Sequence, residues 1–553
     1  MDTSLDADAV HDRTPDARKI DIRLALLCGL ISTVAVLLVN PRAEVGLFDD
    51  WAYTLTAREL AQDGVLRFHG WETALAFIQS GWAALWVRAF GFSYTLVRLT
   101  NLPFVFACGG LLYLLCRMAD LSPRAALFGT LVLTLSPVYL PLTASFMTDV
   151  PGLFFLLAVI YCFSRAMPSQ HGNGRHSGVW LASATVLAVL GGTNRQTIWL
   201  APLVCLPYAA TAWRAERAKR RLALCLWVVS VAAVGGLYRW QAAQPFNIQD
   251  ATGEQLIQAL RQPAFATGQA VQHLGKFILL LVPALFGTPF LWAALRRLPR
   301  GFVVLAVVLS MGACVIAVLP PRFLPAMMGS GDPRNPYLAP WDHDGNLVTS
   351  KGVLNAHLTT LGDRPDVLPR AVWVSLTGLV AFVFLILVGE FIRLVGSRFA
   401  LPKRIPPAES PVPGWPPVLR LLGLYGAVYL PTLQPRLLSG NAFDRYHLPL
   451  LLLCVLGLLW HGRHTTHPRV LTDRWCRFGW GLLAAFALFA LTTTHDYLAM
   501  MRAIATASRH LEASGVRRSD LSAAFEYDCW TEAESNGYVN DSRIRRPPNA
   551  YRA

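Results

Sequence analysis

The sequence predicts an all-α polytopic membrane protein of about thirteen spans, with its N-terminus in the cytoplasm and its C-terminus outside. Three observations carry this. Hydrophobic residues fill 54% of the 553 positions and charged residues only 15%, where a soluble chain carries about a quarter charged. The apolar runs are long and continuous rather than short and alternating, so their backbone groups pair within helices and not between barrel strands. Lysines and arginines gather between the apolar runs, so the net charge of +15 is a sign of orientation and not of a nucleic-acid partner.

A polar tail, 1–19, carries Arg13, Arg18 and Lys19 ahead of the first run, Ile20 to Val39. That run is too long for a signal peptide and lacks a small-residue cleavage site, so it reads as a retained span. The chain then emerges outside at Gly46-Leu47-Phe48-Asp49-Asp50-Trp51-Ala52-Tyr53. Residues 54–92 mix apolar and polar side chains and read as helices lying on the membrane surface, within a first external loop over 41–98. Spans follow at 99–115, 125–140, 152–163, 179–190 and 198–212. Arg214, Arg217, Lys219, Arg220 and Arg221 then mark the cytoplasm.

Residues 20–215 thus form one membrane module. Further spans lie within 216–494, at 222–237, 277–295, 302–319, 371–395, 418–430, 448–460 and 478–491, with external loops at 241–276 and 320–370. Leu256, Ile257 and Leu260 are spaced as on a surface-lying amphipathic helix. The tail, 495–553, opens with a second amphipathic helix stopped near Gly515. It is too short for a sizeable core, so it is expected to pack on the other external loops.

Most of the ten cysteines lie inside apolar runs, no CxxC pair exists, and Cys529 lacks a partner on its side of the membrane. Neither a disulfide framework nor a cysteine zinc site is expected. The chain also lacks a Walker A loop, a GxGxxG and any tandem repeat, which leaves ATP-driven transport and nucleotide-sugar binding without support.

The polar features that remain face one side. A carboxylate pair beside a bilayer is costly unless it faces water, a cation or a substrate. One of Asp49 and Asp50 would serve as a helix cap, which leaves the other over. Asp149, just before Pro151, either caps the fourth span or joins the same site. Arg195, Arg322 and Arg445 stand at external span ends, as interfacial snorkellers or as anion ligands. His461, His464 and His467 have a metal-like spacing but sit in a basic inside loop and read as solvated. Trp341-Asp342-His343-Asp344 reads as a polar turn in a long loop. A carboxylate can take a proton from a hydroxyl or amine, and arginine can neutralise a departing phosphate through paired hydrogen bonds. Nucleotide sugars do not circulate outside the cell, so an external transferase needs a membrane-delivered donor such as a polyprenyl-phosphate sugar.

Asp49-Asp50-Trp51-Ala52-Tyr53 resembles the first-loop motif of the GT-C glycosyltransferases of the protein O-mannosyltransferase and aminoarabinose-transferase type. Val97-Arg98-Leu99 is similar to the start of their second span, and Ala144-Ser145-Phe146-Met147-Thr148-Asp149-Val150-Pro151 to their second external loop with its single aspartate. Gly192-Thr193-Asn194-Arg195-Gln196 resembles a short turn of theirs, and Arg445-Tyr446-His447-Leu448-Pro449 the start of a late span. The resemblance is carried mainly over 20–215. It implies a GT-C-like helical domain that transfers a sugar, with inversion, from a polyprenyl-phosphate donor on the external face of the inner (plasma) membrane. It implies Asp49 as general base, Asp50 as its support or a cation ligand, and Asp149 as shaping the acceptor or metal site. Tyr53, Arg98, Arg195, Gln196, Arg445 and Tyr446 are then the substrate-binding residues. A divalent cation stays open, with its ligands unassigned. The implied partners are the bilayer, the lipid-linked sugar, and an acceptor that is a glycolipid, glycan or protein.

One departure matters. Many aminoarabinose transferases place a lysine, in K-P-P-L, near the lipid phosphate; here the region reads Trp71-Glu72-Thr73-Ala74-Leu75-Ala76, so Arg195 and Arg445 are the substitutes. A lipid-linked oligosaccharide flippase, or an O-antigen-type polymerase or ligase, would share many spans and arginines. Polar residues gathered at external span ends favour surface chemistry over a midplane transport site.

Overall fold

The computed structural model describes residues 15–168, 176–245, 252–318, 348–354, 365–399, 414–440, 442–465 and 469–539. Almost all of them are helical. The strands among the described residues, β1 (Val348–Thr349) and β2 (Gly352–Val353), form a two-stranded antiparallel hairpin.

The chain begins with α1 (Pro15–Leu38), and the long loop beyond it holds α2 (Asp50–Asp63), α3 (Phe77–Phe90) and α4 (Tyr94–Leu99). Gly64, at φ +72°, ends α2, a conformation that glycine adopts without a Cβ penalty. Ser93 caps α4 by accepting from Leu96 N. Next come α5 (Leu102–Met118), α6 (Pro123–Thr134), α7 (Tyr139–Thr143), α8 (Asp149–Ala166), α9 (Ser177–Asn194), α10 (Leu200–Ala212) and α11 (Arg217–Ala242). The remainder holds α12 (Thr252–Arg261), α13 (Pro263–Gly287), α14 (Phe290–Arg297), α15 (Arg300–Val318), α16 (Arg370–Phe399), α17 (Pro417–Leu438), α18 (Leu448–Thr465), α19 (Arg469–Ala513) and α20 (Phe525–Asn536).

A helix stands at every predicted span. Nine stretches among the described residues are long and apolar enough to cross a membrane unaided. α6 and α10 are shorter, at 12 and 13 residues, and α17 carries Pro431 and Pro435 in its interior. Several boundaries differ from the sequence reading. The run expected over 277–295 is broken at Thr288-Pro289 into α13 and α14, and α13 begins at Pro263, inside the loop expected over 241–276. The run expected over 125–140 breaks after Thr134, shortly before Pro137, which has no N–H for the helical ladder, and the chain restarts as α7. α2 begins at Asp50 rather than Thr54. The tail's amphipathic helix is not a separate element: α19 runs unbroken for 45 residues, so its later half continues the last span.

Leu30, Met311 and Phe391 are more than half exposed on α1, α15 and α16, as expected where the solvent is lipid. Small residues set the crossing of α1 and α5. A Cβ on Gly109 would stand 2.8 Å from the Cys28 carbonyl oxygen, and one on Gly29 would stand 2.6 Å from that of Phe106. At the far end of this pair, Asp21 accepts from Arg117 Nε at 2.6 Å and from Tyr113 Oη at 3.1 Å. Gly109→Ala must therefore push two backbones apart, and overpacking of this kind costs about 1–3 kcal/mol. The expected result is a lower Tm in detergent; an unchanged Tm would contradict the packing described.

Candidate active site

Four segments far apart in sequence meet at one end of the bundle: the loop after α1, the start of α8, the end of α9 and the turn before α18. Asp49 occupies the N-cap position of α2, yet its side chain makes no capping hydrogen bond. Instead its Oδ1 accepts from Trp71 Nε1 at 3.0 Å and its Oδ2 from Arg445 Nη2 at 3.3 Å. Capping therefore does not explain this carboxylate. Burial raises its pKa above the usual carboxylate range, with Arg445 and the Trp71 hydrogen bond pulling the other way.

Asp50 is placed quite differently. Its Oδ1 accepts from Leu47 N at 2.6 Å, and its Oδ2 accepts from Phe146 N at 3.0 Å and Arg98 Nε at 3.1 Å. Arg98 also donates to the carbonyls of Ala43 and Val45. This buried pair stitches the 41–50 segment to the 144–148 loop. Every oxygen of Asp50 is taken up by protein donors, which leaves none directed at a substrate.

Asp149 lies in the first turn of α8, with Thr148 at the N-cap position. Its Oδ1 accepts from Arg195 Nη2 and lies 3.9 Å from Arg445 Nε, while Oδ2 is buried without a hydrogen-bond partner. Arg195 closes the end of α9, and its stem lies along α8 at Gly152, where a Cβ would stand 2.5 Å from Arg195 Cγ. Arg445 thus bridges Asp49 and Asp149, and no helix separates the two acids. Its Nε and Nη1 are buried and make no hydrogen bond among the described residues. Its guanidinium sits over the rings of Phe443 at 4.4 Å and Phe48 at 5.0 Å. Tyr446 presents its ring to Arg195 at 5.1 Å, and its hydroxyl accepts from Arg436 Nη1 at 3.0 Å.

Beside these groups opens a small cleft, with Asp149, Arg195 and Arg445 on its polar side. Leu153, Leu156, Ile198 and Leu448 form its apolar wall, with Tyr425 and Tyr429 completing the lining. Those two rings are nearly parallel at 5.6 Å. Tyr53 and Gln196 stand apart from it. Tyr53 is buried on α2 among Ala57, Ala74 and Phe146. Gln196 Nε2 donates to the Thr73 carbonyl, which also accepts from Gln241 Nε2 at 2.8 Å, so it fixes the 71–76 turn.

A divalent cation does not fit this donor set. Arg445 already stands between Asp49 and Asp149, and both oxygens of Asp50 already accept from protein donors. His461 packs against the ring of Phe290 at 5.6 Å. The His464 side chain, His467, Arg322 and Trp341-Asp342-His343-Asp344 lie outside the described residues.

Residues 76–240, which carry Arg98, Asp149 and Arg195, match the family model described as dolichyl-phosphate-mannose-protein mannosyltransferase. Similar solved structures include ArnT from Cupriavidus metallidurans bound to undecaprenyl phosphate, at 14% identity over 91% of this chain and 73% of that one, with a TM-score of 0.41. The apo state of the same protein aligns at 14% identity over 92% and 81%, with a TM-score of 0.36. The archaeal oligosaccharyltransferase AglB from Archaeoglobus fulgidus, in complex with an inhibitory peptide and a dolichol-phosphate, aligns at 12% identity over 94% of this chain and 55% of that one, with a TM-score of 0.33. No curated protein sequence matches the chain.

Several residues of this site escape a sequence reading. Trp71, the hydrogen-bond partner of Asp49, sits in the stretch that drew notice only for its missing lysine. Tyr425 and Tyr429 looked like ordinary span residues, although their i, i+4 spacing in an apolar run was a usable signal. The Trp71 loop is itself fixed by a buried cluster. His69 Nδ1 lies 2.9 Å from Glu72 Oε1 and its Nε2 lies 3.1 Å from Glu59 Oε2. Glu72 Oε2 accepts from His69 N at 2.8 Å, which closes the loop on itself.

Burial of His69 works against its cationic form, but the hydrogen bonds and charges of Glu59 and Glu72 prevail and raise its pKa from 6.5 to about 9. A pKa raised on folding stabilises the protein fully below the unfolded value, and the gain is lost as pH climbs through the folded one. Stability should therefore fall between pH 6.5 and about 9. His69→Gln should lower Tm at pH 6 and flatten that slope; a slope that persists in the variant would contradict the assignment.

Proposed function

We propose that the protein transfers a sugar from a polyprenyl-phosphate-linked donor to an acceptor on the external face of a bacterial-type inner membrane, with inversion, and that Asp49 is the general base. One observation carries this reading. The first-loop acid and the α8 acid converge on a single buried guanidinium that still has N–H groups to offer, at the mouth of a cleft with an apolar wall.

The reaction needs three things from the chain. An acceptor hydroxyl or amine attacks the anomeric carbon from the face opposite the phosphate, and Asp49 takes its proton. The bond from the anomeric carbon to the phosphate oxygen breaks, and its electron pair leaves on the polyprenyl phosphate. Attack opposite the leaving group inverts the configuration. Arg445, with Arg195 beside it, offsets the charge growing on that phosphate. Leu153, Leu156 and Leu448 suit the isoprenoid portion of the donor. A carboxylate with a raised pKa is a stronger base than an ordinary one, which suits the part given to Asp49.

The family description of residues 76–240 supports a lipid-phosphate sugar donor. Gln241, at the other end of α11 from Arg217, Lys219, Arg220 and Arg221, donates to the same Thr73 carbonyl as Gln196, the neighbour of Arg195, and this supports an external placement. Asp50 and Arg98 act in this scheme by fixing the loop that presents Asp49. The acceptor is a glycolipid, a glycan or a protein. Lipid extracts of membranes with and without the protein, compared by mass spectrometry, test the reading. Free polyprenyl phosphate should rise with the protein present, whereas a flippase would leave the lipid-linked sugar intact.

A further inference from the structure

Phe48 and Trp71, which stand on either side of Asp49 in space, both rest on α20, far away in sequence. Phe48, immediately before Asp49, has φ +54°, a left-handed conformation that is costly for an aromatic residue and persists only when its surroundings impose it. Its N–H donates to Glu526 Oε1 at 2.8 Å, across a separation of 478 residues. Tyr497 Oη, on α19, donates to the same oxygen at 3.1 Å. The backbone approaches closely as well: a Cβ on Gly46 would stand 3.1 Å from Glu526 Cβ.

The other neighbour of Asp49 is held from the same helix. Trp71, which donates to Asp49, packs on Phe525 with ring centroids 5.3 Å apart. Val539 N, just past α20, donates to the His69 carbonyl at 2.7 Å, beside Gly70, where any side chain would run into the Val539 carbonyl. Away from the site, Arg58 pairs with Glu534 at 2.7 Å and the Trp530 ring stacks on Phe92 at 5.9 Å. Those last contacts hold α20 to α2 and to the turn between α3 and α4. The contacts of Glu526 and Phe525 do something more local: they set the conformation of the residue before Asp49 and the place of the indole bonded to it.

We propose that α20 forms the outer wall of the active site and that Glu526 is a positioning residue, holding Phe48 so that the Asp49 carboxylate keeps its place between Trp71 and Arg445. This rests on the reading of Asp49 as the base. What Glu526 supplies is an acceptor oxygen, not a charge. Its Oε2 is buried and makes no hydrogen bond among the described residues, and burial raises its pKa to about 7, so a neutral form at this position is tolerated.

The test compares Glu526→Ala, Glu526→Gln and Asp49→Asn in proteoliposomes supplied with a polyprenyl-phosphate sugar. Loss of the acceptor oxygen should lower kcat about 10²-fold, the effect of misplacing a reacting group by about 1 Å, with KM for the lipid-linked sugar unchanged. The amide retains an oxygen at the same reach and should restore most of that rate. If Glu526→Ala does not fold, Glu526→Asp carries the test, since it keeps the charge but shortens the reach to Phe48 N; its kcat should fall at least about tenfold. Wild-type kcat in the alanine or aspartate variant would overturn the proposal. So would equal losses in the alanine and glutamine variants, or a loss matched by the fall in folded protein. Asp49→Asn separates the two readings. Full activity there removes the base itself, whereas an inactive Asp49→Asn beside a fully active Glu526→Ala removes only the positioning role.

Discussion

Asp49→Asn should lower kcat for sugar transfer by about 10²–10⁴-fold, the usual contribution of a positioned general base, while the protein still folds. Asparagine is nearly isosteric and can still accept from Trp71 or Arg445, but it cannot take a proton at neutral pH. In the wild type, the rate should climb with pH through an Asp49 pKa that burial has raised above the ordinary carboxylate range. That limb should vanish from the residual activity of the variant. Asp50→Asn gives the contrasting result. It leaves the buried Arg98 without its carboxylate, and breaking a buried pair costs about 3–5 kcal/mol, so the loss should appear as folded yield. Variants that swapped these behaviours would show that the two acids have been assigned the wrong way round.

The second large effect belongs to Arg445. Arg445→Ala removes the cation shared by Asp49 and Asp149; Asp149 keeps Arg195, but Asp49 keeps only the Trp71 hydrogen bond. Two outcomes should follow. Stability should fall by about 3–5 kcal/mol, as when one partner of a buried pair is deleted. In the folded fraction, kcat should drop about 10²–10³-fold, the size of effect seen when one donor to a developing anion is lost. Arg445→Lys should recover little, because an ammonium cannot address Asp49, Asp149 and a phosphate together as a planar fork does. A lysine variant with wild-type kcat/KM would mean that the leaving phosphate is held elsewhere.

How much of this was legible in the sequence follows from which forces leave local marks. Spans do, because hydrocarbon demands a continuous apolar helix, and each predicted run coincides with a helix. Exceptions arise where local chemistry overrides hydropathy. Pro137 splits the third run, and α19 stays helical well beyond its apolar part because the following residues pack as a second amphipathic face. Asp49, Asp149, Arg195 and Arg445 could be nominated because each sits at the end of an apolar run, where a charge needs a reason. The sequence could not separate Asp49 from Asp50. Adjacent aspartates look alike until Arg98 and two backbone amides are seen to surround one of them. Nor could the hydrogen bond from Gln196 to the Thr73 carbonyl be read, since it joins segments 123 residues apart. Glu526 left no trace at all: within a charge-balanced tail it reads as one more solvated acid, and only tertiary packing makes it a partner of Phe48.

The central claim is that Asp49 drives sugar transfer from a polyprenyl phosphate. Its most direct measurement follows two products at once, glycosylated acceptor and free polyprenyl phosphate, in proteoliposomes holding the wild type or Asp49→Asn. The two products should appear one for one with the wild type and stay near background with the variant. Lipid-linked sugar moved intact without phosphate release, or both products formed at the wild-type rate by Asp49→Asn, would contradict it.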